Sequence, residues 1–204
     1  MKDMPADRML YRQLLRDSLD EILAVEYPAD LLVDAVECKL FGIGVESYTV
    51  GSHEFYMGYL AHAHANGHKN LILTLDMGHF HPTETIADKI SSLLLFTPKL
   101  LVHVSRCMKW DSDHVVISDE NVQDVMREIK RANGFDRVYL ATDFFDGSIN
   151  RIAAWVIGVR ATQKAVLAAL LEPTALIKEA EKSGKYAERL ALMEESRTLP
   201  YTAV

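Results

Sequence analysis

Four apolar segments each end in a side chain that can ligate a metal: Glu37 after LLVDAVE, Asp76 after NLILTLD, His103 after KLLVHV and Asp143 after RVYLATD. They recur at intervals near or somewhat above the roughly 30-residue length of a βαβ unit. Where consecutive strands run parallel, their carboxyl ends share one side of the sheet, so ligands placed there converge. More candidates lie just downstream: His79 in LDMGHFHP, and Asp111 and Asp113 in HVSRCMKWDSDH. Together these are seven side chains, five carboxylates and two imidazoles. Such an oxygen-rich set suits hard divalent ions such as Mg2+ or Mn2+, and its imidazoles also admit Co2+ or Zn2+. One ion does not need seven ligands, whereas two ions sharing a carboxylate would use them all, and Asp76 is the natural bridge.

Each residue has a plainer reading when taken alone. A strand-end carboxylate most often caps the helix that follows. Asp111 and Asp113 could belong to a solvated loop, and a histidine inside an apolar strand is ordinarily a hydrogen-bonded core residue. Independent caps need not fall at every successive strand end, so the four are read together as a site. Asp119, after Ser118, is read as a cap. Lys39 lies two residues past Glu37 and therefore on the same face of the strand, from which its ammonium could reach a substrate oxygen or pair with a carboxylate. His62, His64 and His68 crowd the end of a helix, where a cation suits the helix dipole, and are read that way rather than as a metal cluster. His53, His81 and His114 flank the site with roles left open. Phe144, Phe145 and Trp110 could form an apolar wall against substrate, although strand-end aromatics are usually core.

The elements that must position these residues follow from periodicity. Helical spacing predicts helices over residues 11–25, 52–66, 83–95 and 119–132, and a long apolar helix over 148–171 that stops before Pro173. Strands are expected over about 31–41, 70–76, 99–104 and 136–143, the first feeding a glycine-permissive loop at Gly42 and Gly44. These strands read as near-continuous apolar runs, the mark of parallel strands covered on both faces. Four consecutive strand ends contributing to one site favour a barrel over an open sheet, which usually binds at a single switch point. The expected fold is α/β: about half of a (β/α)8 TIM barrel in one domain, residues 1–204, with a helical tail over 148–199.

A formal net charge of −7 and the lack of a basic run argue against nucleic acid. No stretch reads as the roughly 20 apolar residues needed to span a bilayer, and the charged start lacks a signal-peptide core, so a cytoplasmic, non-membrane protein is expected. Cys38 and Cys107 are too few for a disulfide framework and read as buried thiols.

The runs VECKLFGIGVESYTVGSHEFYMGY, LDMGHFHPTE, HVSRCMKWDSDHVV, TDFFDGSINRIAAWVIG and YAERLALMEE closely resemble the L-rhamnose isomerase family, and the likeness extends over about residues 34–199. It covers the family's C-terminal half, so the chain is expected to be a fragment of a longer barrel or a reading frame begun at an internal methionine. The resemblance implies a metal-dependent aldose–ketose isomerase acting on a small sugar, interconverting L-rhamnose and L-rhamnulose, and tetrameric when complete. It implies one ion held by Glu37, Asp76, His103 and Asp143 and a second by Asp76, His79, Asp111 and Asp113, with Mn2+ the first choice. Lys39, His79, Asp111 and Asp113 form the implied catalytic set. Lys39 would steady charge on the carbonyl oxygen, and Asp111 or Asp113 would serve the shuttling of a hydroxyl proton. Cys38 and Cys107 stand where other small residues are expected, and neither is a ligand. The competing readings are a two-metal hydrolase on the same barrel, disfavoured by the acidic balance and the lack of a phosphate clamp, and an inactive truncated half barrel.

Overall fold

The computed structural model describes residues 5–25, 27–39, 48–108 and 113–203. The chain starts with helix α1 (Arg8–Leu23), capped by Asp7, whose carboxylate accepts the Leu10 N–H at 2.9 Å. Strands and helices then alternate: β1 (Ala35–Glu37), α2 (His53–Ala65), β2 (Ile72–Asp76), α3 (Ala87–Leu94), β3 (Leu100–Val104), α4 (Glu120–Arg131) and β4 (Val138–Thr142). Helices α5 (Arg151–Leu171), α6 (Thr174–Lys182) and α7 (Tyr186–Arg197) follow, then a 3-10 turn at Tyr201–Ala203.

All four strands pair in parallel in the order β1-β2-β3-β4. Strand order therefore follows chain order without reversal, so among the described residues the sheet has no switch point of the doubly wound kind. Its register divides the side chains into two faces, because successive residues of a strand point oppositely. Val36, Leu73, Leu75, Leu100, Val102 and Val138 lie on one face, in a core shared with Ile90 and Leu93 of α3 and Val122, Val125, Met126 and Ile129 of α4. The opposite face carries Glu37, Thr74, Asp76 and His103.

Sequence and structure differ at several boundaries for local reasons. Pairing with β2 begins only at Ala35, because the Leu31 and Leu32 N–H groups turn back to the Pro28 carbonyl at 2.9 and 3.1 Å. β1 is thus three residues long instead of spanning 31–41, while Gly42 and Gly44 lie outside the described residues. α3 starts at Ala87 rather than near residue 83, after His81 and Thr83 bond to each other across a turn. α5 starts after Asn150, whose side-chain oxygen accepts the Ala153 N–H at 3.1 Å. α4 begins after the expected cap: the Asp119 carboxylate accepts the Val122 N–H at 3.0 Å.

Contrary to the sequence reading, α5 is 21 residues long and apolar enough by length and composition to cross a membrane. One side of it is a stripe of buried small residues, Ala154, Gly158, Ala161, Ala165, Ala168 and Ala169, and the helix contacts α4. Small side chains allow this close approach, as at Gly158, where an added Cβ would collide with Cζ and Cε1 of Phe144. The helical region after β4 is closed by a bidentate pair, Arg131 Nε and Nη2 donating to Glu172, whose side chain is 1% exposed.

Candidate metal centre

The register explains why distant residues meet. Asp76 pairs with His103, Glu37 with Thr74 two residues before Asp76, and His103 with Ala141 two residues before Asp143. A two-residue step keeps a side chain on the same face, so all four ligand types point to one side of the sheet near its carboxyl edge. One ligand atom from each of Glu37, Asp76, His103 and Asp143 lies within 4.8 Å of the others. His103 Nδ1 is at the middle, 3.0 Å from Glu37 Oε1, 3.2 Å from Asp143 Oδ2 and 3.5 Å from Asp76 Oδ2. The Asp76 and Glu37 carboxylates beside it, with the charge of Asp143, outweigh the opposing effect of burial and push its pKa up to about 10. A proton shared among three carboxylates is what a divalent cation would replace.

A second group is formed by Asp76, His79 and Asp113, again within 4.8 Å. Turns position these residues. Asp76 Oδ1 accepts the Gly78 N–H at 2.6 Å, a tight Asx turn that brings His79 back over the strand end. His79 is 3% exposed, and its Nδ1 donates to the Cys38 carbonyl at 3.0 Å. A carbonyl can only accept, so Nδ1 carries the hydrogen and Nε2 presents its lone pair toward Asp76 Oδ1 (4.0 Å) and Asp113 Oδ2 (3.9 Å). Lys39 Nζ lies 2.6 Å from that same Nε2. Asp113 is tied to the loop after β4 through its carbonyl, which accepts the Phe145 N–H at 2.8 Å.

Two observations fit these groups to cations. Asp76 Oδ2 and Asp113 Oδ1 are buried carboxylate oxygens without a hydrogen-bond partner among the described residues, a costly state that an ion would relieve. The donor set is also mostly anionic oxygen with one imidazole per group, as hard divalent ions prefer. The electrostatics divide accordingly. Burial alone would raise the Asp76 carboxyl, but His103 close beside it and the Gly78 N–H hold it below the ordinary carboxylate range. Burial and the neighbouring Asp76 charge push Asp113 up, against the Lys39 ammonium.

The structure thus brings together six of the seven sequence-predicted ligands, and Asp111, with neighbouring Trp110, lies outside the described residues. The flanking histidines go elsewhere. His53 packs edge-on against Phe80, His81 bonds Thr83, and His114 faces Asp146 at 3.9 Å. His62 and His64 occupy the last turn of α2. His64 Nε2 donates to the Leu71 carbonyl, and His62 Nε2 sits 3.5 Å from Asp20. Phe144 packs against the core and Phe145 is exposed. Cys38 is buried and Cys107 half-buried, and neither is in a disulfide. Ser105 was missed by sequence reasoning. Buried two residues beyond His103 on the ligand face, it donates from Oγ to Asp76 Oδ1 at 3.2 Å, and its spacing from His103 could have marked it.

The family model described as L-rhamnose isomerase (RhaA) matches residues 1–204. The chain is 57% identical over 203 residues to the L-rhamnose isomerase of Rhodopirellula baltica, covering 100% of the chain and 46% of that relative. It is 56% identical to the one from Yersinia pseudotuberculosis and 55% to the one from Salmonella paratyphi B, covering 47% of each. The chain therefore spans about half the length of these curated relatives.

Proposed function

Because the chain belongs to the L-rhamnose isomerase family, we propose that it carries the metal-binding part of an aldose–ketose isomerase that interconverts L-rhamnose and L-rhamnulose. The observation that carries this reading is the pair of ligand groups sharing Asp76. Glu37, Asp76, His103 and Asp143 would hold one divalent ion. Asp76, His79, Asp113 and, from the sequence pattern, Asp111 would hold the other, with Mn2+ the best match to the donors. When bound, such ions act as Lewis acids on adjacent sugar oxygens.

The protein's own groups then divide the work. The isomerisation moves a hydrogen from C2 to C1, as a hydride or by proton transfer, and a proton from the C2 hydroxyl to the C1 oxygen, so atoms and charge balance within the sugar. The Lys39 ammonium donates to the carbonyl oxygen on which charge accumulates. Asp113, with Asp111 from the sequence pattern, would hold the group that takes up and returns the hydroxyl proton. Ser105 and the Gly78 N–H keep the Asp76 carboxylate oriented, and the Cys38 carbonyl keeps the His79 lone pair inward.

The unreversed order of the strands supports their being an arc of a closed (β/α)8 barrel in the full-length protein. So does the apolar lower part of the ligand face, where Ala35, Ile72, Leu101 and Tyr139 line a cavity of about 320 Å³ that further strands could fill. The exposed Ile152, Trp155, Val156 and Ile157 of α5 offer a face for self-association into the tetramer implied by the family resemblance. A small-sugar substrate and the absence of a basic run support a cytoplasmic enzyme with no nucleic-acid partner.

The test is metal content together with L-rhamnose conversion, measured on the 204-residue chain alone and supplied with the segment its longer relatives carry. Two ions and conversion in the completed protein are expected. Bound metal without conversion in either form would favour the two-metal hydrolase.

A further inference from the structure

The two ligand groups treat their histidines differently. His103 Nδ1 faces three carboxylate oxygens, whereas His79 Nε2 faces the ammonium of Lys39 at 2.6 Å. We infer that the Lys39 ammonium serves as an internal counter-ion of the second group, which the second metal ion must displace, and that this displacement turns the lysine toward substrate. The inference rests on the two-ion reading above.

An imidazole nitrogen has one lone pair, which can accept a hydrogen bond or bind a metal but cannot do both. Nδ1 of His79 is committed to the Cys38 carbonyl, so Nε2 is the atom left to ligate, and that is the atom Lys39 holds. The ammonium is directed at the nitrogen that also faces Asp76 Oδ1 and Asp113 Oδ2. A cation entering there meets both a blocked ligand and a like charge. Lys39 can yield because its four-carbon stem is flexible, and because, two residues from Glu37 on the ligand face, its ammonium can swing above the strand ends without moving the backbone. Loading is then ordered: the carboxylate-rich first group fills first, and filling the second is an exchange of ammonium for metal. The freed ammonium is the one the isomerisation needs at the carbonyl oxygen, so catalytic readiness is coupled to full metal occupancy.

The experiment is a Mn2+ titration by calorimetry on the full-length protein bearing these residues, as wild type, Lys39→Met, Lys39→Arg and Asp113→Asn. Two steps are expected in the wild type, the weaker lost in Asp113→Asn. Lys39→Met should tighten the weaker step by about 10–100-fold, the range over which partners of a ligating histidine move metal affinity, and leave the tighter step unchanged. Lys39→Arg, which keeps the charge, should leave the weaker step weak. An unchanged or weakened second step in Lys39→Met overturns the counter-ion role. Fewer than two ions in the wild type overturns the two-ion reading itself and the inference with it. On the wild-type fold, reductive methylation with 13C, which preserves the lysine charge, gives an independent readout. The Lys39 signal should move with the second equivalent of Mg2+, used here because it is diamagnetic, and not with the first, and any other order overturns the inference.

Discussion

The two ligand groups share Asp76 but are built by different means. The first takes its residues from the ends of all four strands, so parallel register, enforced by the buried core on the other face, sets its geometry. The second is made by a turn after β2 and a loop after β3, and it depends on single hydrogen bonds: Gly78 N–H to Asp76, His79 to the Cys38 carbonyl, Asp113 to the Phe145 N–H. A site made by register is as firm as the sheet. A site made by turns can be adjusted by one side chain, and Lys39 is placed to do so.

The largest expected effect comes from the residue that joins the two. Asp76→Ala in the full-length protein should release both ions and lower turnover by at least about a thousandfold, or ~4 kcal/mol of transition-state stabilisation. Metal analysis still finding two ions would end the bridging assignment. Ser105→Ala divides the groups more finely. Its hydroxyl bonds Asp76 Oδ1, the oxygen facing His79, while Oδ2 faces His103. Affinity at the second group should fall by about 10–100-fold with a smaller loss at the first, and equal losses in a calorimetric titration would show that the carboxylate responds as one unit.

The same division explains what could be read from sequence. The strand-end positions of Glu37, Asp76, His103 and Asp143 were visible because hydrophobic runs and their ends are local signals, and parallel pairing then fixes their meeting point. The cap at Asp119 was visible for the same reason. Ser105, the Cys38 carbonyl and the contact between Lys39 and His79 were not. Each depends on which atom of a side chain turns inward or on a backbone group, and residue type carries no such information. The length of β1 and the start of α3 were missed because turn hydrogen bonds at Pro28 and His81 take precedence over β-branched and helical propensity.

Proton release gives a graded test of the contrast. The carboxylates around His103 raise its pKa to about 10, against an ordinary value near 6.5. A raised pKa contributes stability that is fully present below the unfolded value and is lost as pH rises through about 10. Urea unfolding of the metal-stripped protein should therefore show this part of its stability declining between about pH 6.5 and 10. Metal competes with that proton, so first-group affinity should rise by up to about tenfold per pH unit within the window, with about one proton released into buffer. Second-group binding should be less steep, because there the entering metal displaces the Lys39 ammonium instead of a proton held among carboxylates. Equal slopes for the two steps would show that the groups are protonated alike.

The smallest effect tests whether the first group is truly held by the fold. Gly158 lies beneath the ring of Phe144, the residue after Asp143, and a Cβ there would collide with the ring's far edge. Overpacking of this kind costs about 1–3 kcal/mol, and Gly→Ala within a helix returns about 1, so the net loss should be near ~1 kcal/mol because the ring can swing aside. The swing is transmitted to Asp143, a ligand of the first group, and among the described residues it reaches Asp113 through the Phe145 N–H. Gly158→Ala should then lower the unfolding midpoint by a few degrees and weaken the first ion more than the second. If the second ion weakened more, the single backbone bond between Asp113 and Phe145 would couple the loops more strongly than the sheet register holds Asp143, and the distinction between a site made by strands and a site made by turns would fail at this corner.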